Sequence, residues 1–299
     1  MKYRDILTIT ISLFMGASLQ AQTLEESFLA PPDSARPYTW WHWVNGNVSK
    51  EGITKDLECM KSVGLGGFVL FDCSVGIPAG PVAYNSKQDH QLRAFAIAEA
   101  DRLGLDAGMN NASGWSSTGG PWVTPEHSMK MVGWSETTVR AGDPAPIKLE
   151  VGKPVLKTKH HVMPVEFYRD IAVLAFPTPK NPEYRIERWT QKALYDHNAK
   201  GIDFIADQRT APADAVIAAD SVLDLTDRMD ADGNLDWVPD SGEWTVMRFG
   251  YRSTGAVNRP ATSKAKGLEI DKLSRAAVDL HWDKYINQLI ANAEGREAL

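Results

Sequence analysis

The residues from 40 to 47 form the densest group of potential ligand-binding side chains in the chain. The sequence Trp-Trp-His-Trp-Val-Asn-Gly-Asn brings three tryptophans, a histidine and two asparagines together within eight residues. A buried strand does not need so many indole and amide groups, because each must find a hydrogen-bond partner. Indole faces can cover the C–H face of a pyranose, and imidazole and amide groups can reach its hydroxyls. The pattern favours a saccharide site formed by Trp41, His42 and Asn45, with an aromatic core strand as the alternative.

A second polar segment, at 110–122, has the same aromatic character. Asn111 is followed by a Gly/Ser-rich stretch that contains Trp115 and Trp122. Such a loop could wrap a saccharide, although a Gly/Ser-rich turn also needs no ligand. Two indoles on an exposed loop would be unusual without one, so Asn111 and Trp115 join the candidate sugar-binding residues.

Two carboxyl groups are candidates for catalysis. Glycoside hydrolysis usually takes a pair of them, about 5–5.5 Å apart for retention or about 6.5–9.5 Å apart for inversion. Asp72 ends a predicted buried strand, where it could equally be a solvated residue that caps the next loop. Glu269 lies at the entrance to the last predicted helix. The nearby Asp271 is better explained as a helix N-cap, with Ser274 as the other candidate for the cap.

The sequence gives little support for other catalytic motifs or for a metal-binding motif. Asp230-Ala-Asp232-Gly233 matches part of a calcium loop, but the first and last ligand positions of an EF-hand would be Arg228 and Pro239. A hairpin turn between 223–225 and 235–237 is the preferred interpretation, so no metal ligands are assigned from the residues. The chain has no HExxH, paired CxxC, Walker or GxSxG motif.

Strand–helix–strand units must position the candidate residues. A strand at 38–44 precedes a helix with Ser49 as its N-cap, and Gly64 ends that helix. Further strands are predicted at 67–72 and 105–110, with a helix over 92–103 between them. Ligands bind at the carboxyl ends of parallel strands in α/β proteins. The candidate residues are therefore expected to share one rim.

The domain pattern changes twice after this region. Residues 23–128 are predicted to form the first part of a (β/α) barrel, and 129–250 an inserted, sandwich-like β-rich module. Residues 251–299 are predicted to return to the barrel with a helix. The predicted inner face of this helix consists of Leu273, Ala277, Leu280, Tyr285 and Leu289. These elements cannot close an eight-stranded barrel. The chain is therefore expected to be truncated, with an open sheet as the alternative.

Residues 1–22 have the features of a secretory signal peptide, with Lys2 and Arg4 before a short apolar run and small residues near Ala21. The mature protein is expected to be exported, to the periplasm or outside a bacterial cell, with no membrane association. The net charge of −6 and the lack of a basic stripe argue against nucleic acid as a partner. Cys59 and Cys73 are predicted to be too far apart for a disulfide, and to be mostly buried thiols.

Four long segments of the chain resemble glycoside hydrolase family 106, the α-L-rhamnosidases. They are 36–53, 108–122, 170–177 and 267–274, and they occur in the family's order. The resemblance covers nearly the whole mature chain but only about the N-terminal third of a family member. It implies a barrel catalytic domain with β-rich insertions, an oligosaccharide or plant-type glycan as substrate, and inversion by two glutamates near a calcium ion.

The same resemblance places the catalytic glutamates on later strands, beyond Leu299. The chain would then supply part of the sugar pocket and be inactive alone. Trp41, His42, Asn45, Asn111 and Trp115 are carried over as sugar-binding predictions, and Glu269 as a weaker one. The alternatives are a non-catalytic carbohydrate-binding protein and an inactive fragment of a longer enzyme.

Overall fold

The computed structural model describes residues 23–153, 162–182, 184–186, 189–192 and 210–293, and the predicted signal peptide lies outside them. The protein has mixed α/β structure, as predicted. The α-helices are α1 (Leu24–Leu29), α2 (Lys50–Ser62), α3 (Lys87–Leu103), α4 (Trp189–Lys192), α5 (Arg275–His281) and α6 (Asn287–Ala291). The strands are β1 (Tyr38–Val44), β2 (Gly67–Cys73), β3 (Asp106–Met109), β4 (Lys130–Arg140), β5 (Ile147–Lys148), β6 (Tyr168–Pro177), β7 (Leu223–Asp224), β8 (Asn234–Leu235) and β9 (Glu243–Ser253). Within the described ranges, no helix is both long enough and apolar enough to span a bilayer.

The chain divides into two compact units. The first consists of Met1–Phe71, Ala79–Asn110 and Leu289–Leu299, and the second of Asp72–Pro78 and Asn111–Gln288. The predicted boundaries at 128 and 250, and the partial barrel itself, stay predictions.

The first unit contains a three-stranded sheet in the order β1-β2-β3. β2 and β3 are parallel, with Gly67 opposite Asp106 and Leu70 opposite Met109. Helices α2 and α3 cover one face of this sheet, where the apolar side chains of all five elements form the core. The helix ends follow the sequence signals. Ser49 caps α2 by accepting a bond from the Gly52 amide, and Gly104 ends α3 in the left-handed conformation.

A buried ion pair lies in the first unit beside the aromatic strand. Arg93 Nε donates to Asp89 Oδ2 at 3.0 Å, and both side chains are almost completely shielded from solvent. The guanidinium also lies over the rings of Trp43 and Tyr84, at 5.4 and 5.9 Å from their centroids. The same Asp89 oxygen accepts a bond from the Asn85 amide. Residues 85–93 are thus fixed by one polar cluster.

The second unit contains a four-stranded antiparallel sheet in the order β4-β9-β6-β7 and a two-stranded sheet of β5 and β8. The longest pairing joins β4 and β9, from Lys130 opposite Ser253 to Arg140 opposite Glu243. The guanidinium of Arg248 on β9 binds both carboxylate oxygens of Asp170 on β6, at 2.8 and 2.9 Å. This bidentate bond lowers the pKa of Asp170 and raises that of Arg248.

The last helical segment differs from its prediction in two respects. Leu273 was expected on the inner face but is 99% exposed, because the helix begins only after the N-cap Ser274. Leu280, also expected on the inner face, is only half-buried. The buried positions are Ala277, His281, Tyr285 and Leu289, each four residues apart. Residues four apart are separated by slightly more than one turn of an α-helix, so a row of such residues gradually rotates around the helix axis. The π-helical turn at Trp282–Ile286 has more residues per turn, which offsets this rotation.

Two smaller predictions also need correction. The expected hairpin between 223–225 and 235–237 does not form, because β7 pairs with β6 and β8 pairs with β5. Instead, a tighter turn closes between Met229 and Leu235. Cys59 and Cys73 are both free thiols, as predicted, but Cys59 is exposed because it lies on the solvent side of α2. Burial, together with the nearby charge of Asp72, raises the pKa of the Cys73 thiol.

Candidate functional site

Strand β1 sends its aromatic side chains to opposite faces of the first unit's sheet. Trp41 and Trp43 are 7% and 3% exposed, whereas Trp40 is 63% exposed and His42 is exposed as well. Side chains alternate between the two faces of a strand. Neighbours such as Trp41 and His42 therefore cannot contribute to the same side of a pocket.

Trp41 is a core residue of the first unit. Its ring packs edge-on against Phe68 and Trp43, with centroids 5.0 and 5.5 Å away. Its indole Nε1 donates to Asp56 Oδ2 at 3.0 Å. The aromatic-core interpretation therefore accounts for Trp41, and no indole face is left for a sugar.

His42 lies on the other face of the sheet, within a cluster of accessible rings. The rings of Trp40 and Phe71 lie 6.1 and 5.7 Å from the imidazole, measured between centroids. Asn45 follows the strand in a left-handed conformation (φ 51°), and its carbonyl accepts a bond from the Gly80 amide at 2.8 Å. A turn therefore explains the choice of asparagine at position 45. His42 and Asn45 remain predicted sugar ligands of the first unit.

The other two predicted ligands, Asn111 and Trp115, lie on one loop of the second unit. The side chain of Asn111 is exposed, while its carbonyl oxygen is 2.9 Å from Nε2 of the buried His281. Nδ1 of His281 accepts a bond from the Trp122 indole at 3.2 Å. Because these two bonds place the proton on Nε2, His281 is a neutral imidazole that holds the start of the loop in position.

Trp115 is exposed, but the backbone around it is tightly held. Its amide donates to the Arg259 carbonyl at 2.8 Å, and the Arg259 amide donates to Ser116 Oγ at 3.3 Å. Gly114 has φ 85°, and a Cβ there would collide with the Arg259 carbonyl group. The indole therefore stands on a fixed backbone instead of on a free loop.

A buried asparagine fixes the segment that faces this loop. The Asn258 amide nitrogen donates to the carbonyls of Ser113 and Ala265, at 3.2 and 3.0 Å. Its side-chain oxygen accepts a bond from the Gly267 amide at 2.9 Å. Asn258 is 1% exposed, so these bonds satisfy a polar group that would otherwise be costly to bury.

The two carboxyl candidates of the second unit are both buried, at 6% exposed for Asp72 and 8% for Glu269. One carboxylate oxygen of Glu269 accepts bonds from Thr118 Oγ1 at 2.7 Å and from Lys272 Nζ at 2.9 Å. Glu269 thereby ties the far end of the Trp115 loop to the entrance of α5. The main-chain oxygen of Asp72 accepts bonds from the Gly114 amide at 2.6 Å and from Ser113 Oγ at 3.2 Å. These contacts give both residues a structural role, and their catalytic roles remain predictions.

The described residues contain no group of three or more His, Cys, Asp or Glu side chains that could hold a metal ion. In the loop that resembles a calcium site, the carboxylate of Asp230 already accepts bonds from the Asp232 and Asn234 amides and from the Asn234 side chain. Asp230 therefore closes a turn, and this loop does not fit a calcium site. Calcium stays a prediction from the family resemblance.

We expect the stability of the protein to depend on His281 at mildly acidic pH. Burial lowers the pKa of this imidazole below its usual value of about 6.5, against the opposing effects of the Asn111 carbonyl and Glu269. As the pH falls below about 6.5, His281 binds a proton in the unfolded chain but not in the native chain. The free energy of unfolding should therefore fall.

Urea denaturation at pH 7 and pH 5 measures this effect. A His281→Gln variant should lose part of the pH dependence, while His127→Gln, which removes a less buried histidine, should keep it. Equal pH dependence in all three proteins would contradict the assigned role of His281.

Four residues of the second unit were not predicted from the sequence as part of the site, namely Asn258, Arg259, Lys266 and His281. The segment 257–267 has neither apolar periodicity nor a known motif. His281 could have been suspected from its place four residues after Ala277 and four before Tyr285, on the predicted inner face of the helix.

Comparison with known proteins identifies the family. A family model described as alpha-L-rhamnosidase, for glycoside hydrolase family 106, matches residues 29–298. A curated protein of Formosa agariphila, described as a "Putative beta-glucuronidase", is 41% identical over 287 residues, which are 95% of this chain and 24% of that protein. The solved structure of a rhamnosidase from Novosphingobium sp. PP1Y is 28% identical, with a TM-score of 0.71, and the match covers 93% of this chain and 39% of the other.

The chain thus spans about a quarter of the curated relative and about two-fifths of the solved one. The family match extends over nearly all of the described residues and both units. The chain belongs to glycoside hydrolase family 106.

Proposed function

We propose that this chain forms the N-terminal part of an exported enzyme that hydrolyses terminal α-L-rhamnose from glycans with inversion. The family match over residues 29–298 is the observation that carries the proposal. The similarity to a solved rhamnosidase supports it, and the features of residues 1–22 support export.

In this mechanism, a carboxylic acid protonates the leaving oxygen while a carboxylate on the opposite side of the ring activates a water molecule. The proposed positions of both groups are C-terminal to Leu299, where the family resemblance places them. The described residues would bind and orient the saccharide. Trp115 offers an accessible indole face on a fixed backbone, and Asn111 offers an amide on the same loop.

One observation favours a second candidate function. The Formosa relative, 41% identical, is described as a "Putative beta-glucuronidase". A β-glucuronidase would need the same pair of carboxyl groups but a different pocket, because its substrate carries a carboxylate at the reacting sugar.

Hydrolysis assays separate these possibilities. The 299-residue chain and the product of its complete reading frame are each incubated with an aryl α-L-rhamnoside and an aryl β-D-glucuronide. We expect the complete product to release aryl alcohol from the rhamnoside, and proton NMR to show β-L-rhamnose as the first product. The 299-residue chain alone should be inactive.

Each of the other possible results of these assays would change the proposal in a different way. Release from the glucuronide alone would replace the proposal with the second candidate. No release from either substrate, together with rhamnose binding in calorimetry, would indicate a carbohydrate-binding protein. First formation of α-L-rhamnose would overturn inversion.

A further inference from the structure

A cavity of about 610 Å³ lies in the second unit beside Trp115. We call it the Trp115 cavity. Its lining consists of Val75, Trp115, Ser116, Val257, Asn258, Arg259, Pro260, Ala261 and Lys266. The volume falls in the range of roughly 300–1,000 Å³ that is typical of sites for small ligands. None of its lining residues is acidic, and two are cationic.

The two cations of this cavity are available to a ligand. Arg259 and Lys266 are exposed, and neither forms an ion pair with another described residue. By comparison, the exposed Arg102 and Arg275 pair with carboxylates on their own helices. In a chain with a net charge of −6, two cations at one cavity that pair with no carboxylate of the described residues give a local positive potential that attracts anions.

The backbone that presents these side chains is fixed before any ligand binds. Trp115 and Arg259 are joined by a main-chain bond, and the buried Asn258 holds the segment to Ala265 and Gly267. An indole that is 61% exposed contributes little to the core. Because the backbone is already ordered, binding a ligand there costs less conformational entropy.

We propose that the Trp115 cavity binds a negatively charged sugar residue of the glycan. The sugar ring lies on the indole of Trp115, and its anionic group lies between Arg259 and Lys266. The planar guanidinium of arginine can bind two oxygens of one carboxylate or sulfate group, and the lysine ammonium adds a second charge. The inference rests on the proposed function for the glycan substrate, and it adds that this glycan is acidic.

Binding of small glycosides to the 299-residue chain tests the proposal. The probes are methyl β-D-glucuronide, its uncharged methyl ester, methyl α-L-rhamnoside and a sulfated methyl α-L-rhamnoside, measured by calorimetry or ligand-observed NMR. We expect a charged probe to bind at least tenfold more tightly than its uncharged counterpart at low ionic strength. The difference should shrink as salt is added, because exposed charges are screened.

The choice of probes distinguishes the two sources of the charge. Preference for the glucuronide over its ester indicates a uronic acid, and preference for the sulfated over the plain rhamnoside indicates a sulfate ester. Equal binding of the charged and uncharged members in both pairs would overturn the proposal.

Two sets of variants locate the effect. Arg259→Gln combined with Lys266→Gln should abolish the preference for the charged probe, while Trp115→Ala should weaken charged and uncharged probes alike. The matched control combines Lys264→Gln with Lys284→Gln, which removes the same total charge from exposed positions outside the cavity lining. A loss of preference in the control would show that net charge, and not this cavity, is responsible.

The outcome is independent of the rhamnoside assay. Hydrolysis of the aryl rhamnoside without any preference for charged probes would remove this inference and leave the proposed function intact. A preference for charged probes without rhamnoside hydrolysis would leave this inference intact and remove the proposed function.

Discussion

Replacing Asp89 with alanine should lower the free energy of unfolding by about 3–5 kcal/mol. The change removes the Asp89 carboxylate from the guanidinium of Arg93, at a site where both side chains are shielded from water. The rings of Trp43 and Tyr84 contact the guanidinium but cannot replace a full negative charge. The Asn85 amide also loses its acceptor, so the start of α3 should loosen.

Urea denaturation followed by far-UV circular dichroism measures the loss. The control is Asp101→Ala, which removes an exposed carboxylate from the same helix and should change stability by no more than about 0.5 kcal/mol. If Asp89→Ala and Asp101→Ala had equally small effects, the buried ion pair would not stabilise the first unit.

Replacing Trp41 with alanine should cost about 3–5 kcal/mol of stability, whereas His42→Ala should cost about 0.5 kcal/mol or less. Trp41→Ala opens a cavity beside Phe68 and Trp43 and removes the donor that Asp56 binds. His42 lies beside the accessible rings of Trp40 and Phe71 on the opposite face. Neighbouring residues of one motif should therefore differ sharply in their contribution to folding.

Calorimetry with rhamnose, under conditions in which both variants are folded, completes the test. A saccharide site on the exposed face of β1 predicts weaker binding for His42→Ala. Trp41→Phe, which keeps an aromatic ring in the core, should bind rhamnose as the parent chain does. A large loss of binding in Trp41→Phe with normal stability would restore Trp41 as a sugar ligand.

Local signals predicted the elements of the first unit well. Ser49 and Gly64 marked the ends of α2, because capping and left-handed glycines act through residues close in sequence. The composition of residues 40–47 predicted Trp41 and His42 in one pocket, although the alternation of side chains along a strand places them on opposite faces. The aromatic composition indicated a site, and the period of the strand decided which residues could belong to it.

The second unit was harder to predict because its interactions join distant parts of the sequence. Asn258 binds the carbonyl of Ser113, which is 145 residues away. Thr118 reaches Glu269 across 151 residues. No local pattern reports such contacts. Asn111 and Trp115 were found by composition, while the residues that hold their loop, His281 and Asn258, were not.

The bonds that hold Trp115 beside Arg259 have a consequence for evolution. One joins the Trp115 amide to the Arg259 carbonyl, and the other joins the Arg259 amide to the side chain of Ser116, so neither uses the side chain of Arg259 or Lys266. The side chains of Arg259 and Lys266 can therefore be exchanged without dismantling the scaffold that carries them. Descendants of a common ancestor could acquire new glycan preferences at this place through one or two substitutions, while Gly114, which has no room for a methyl group, would have to be retained.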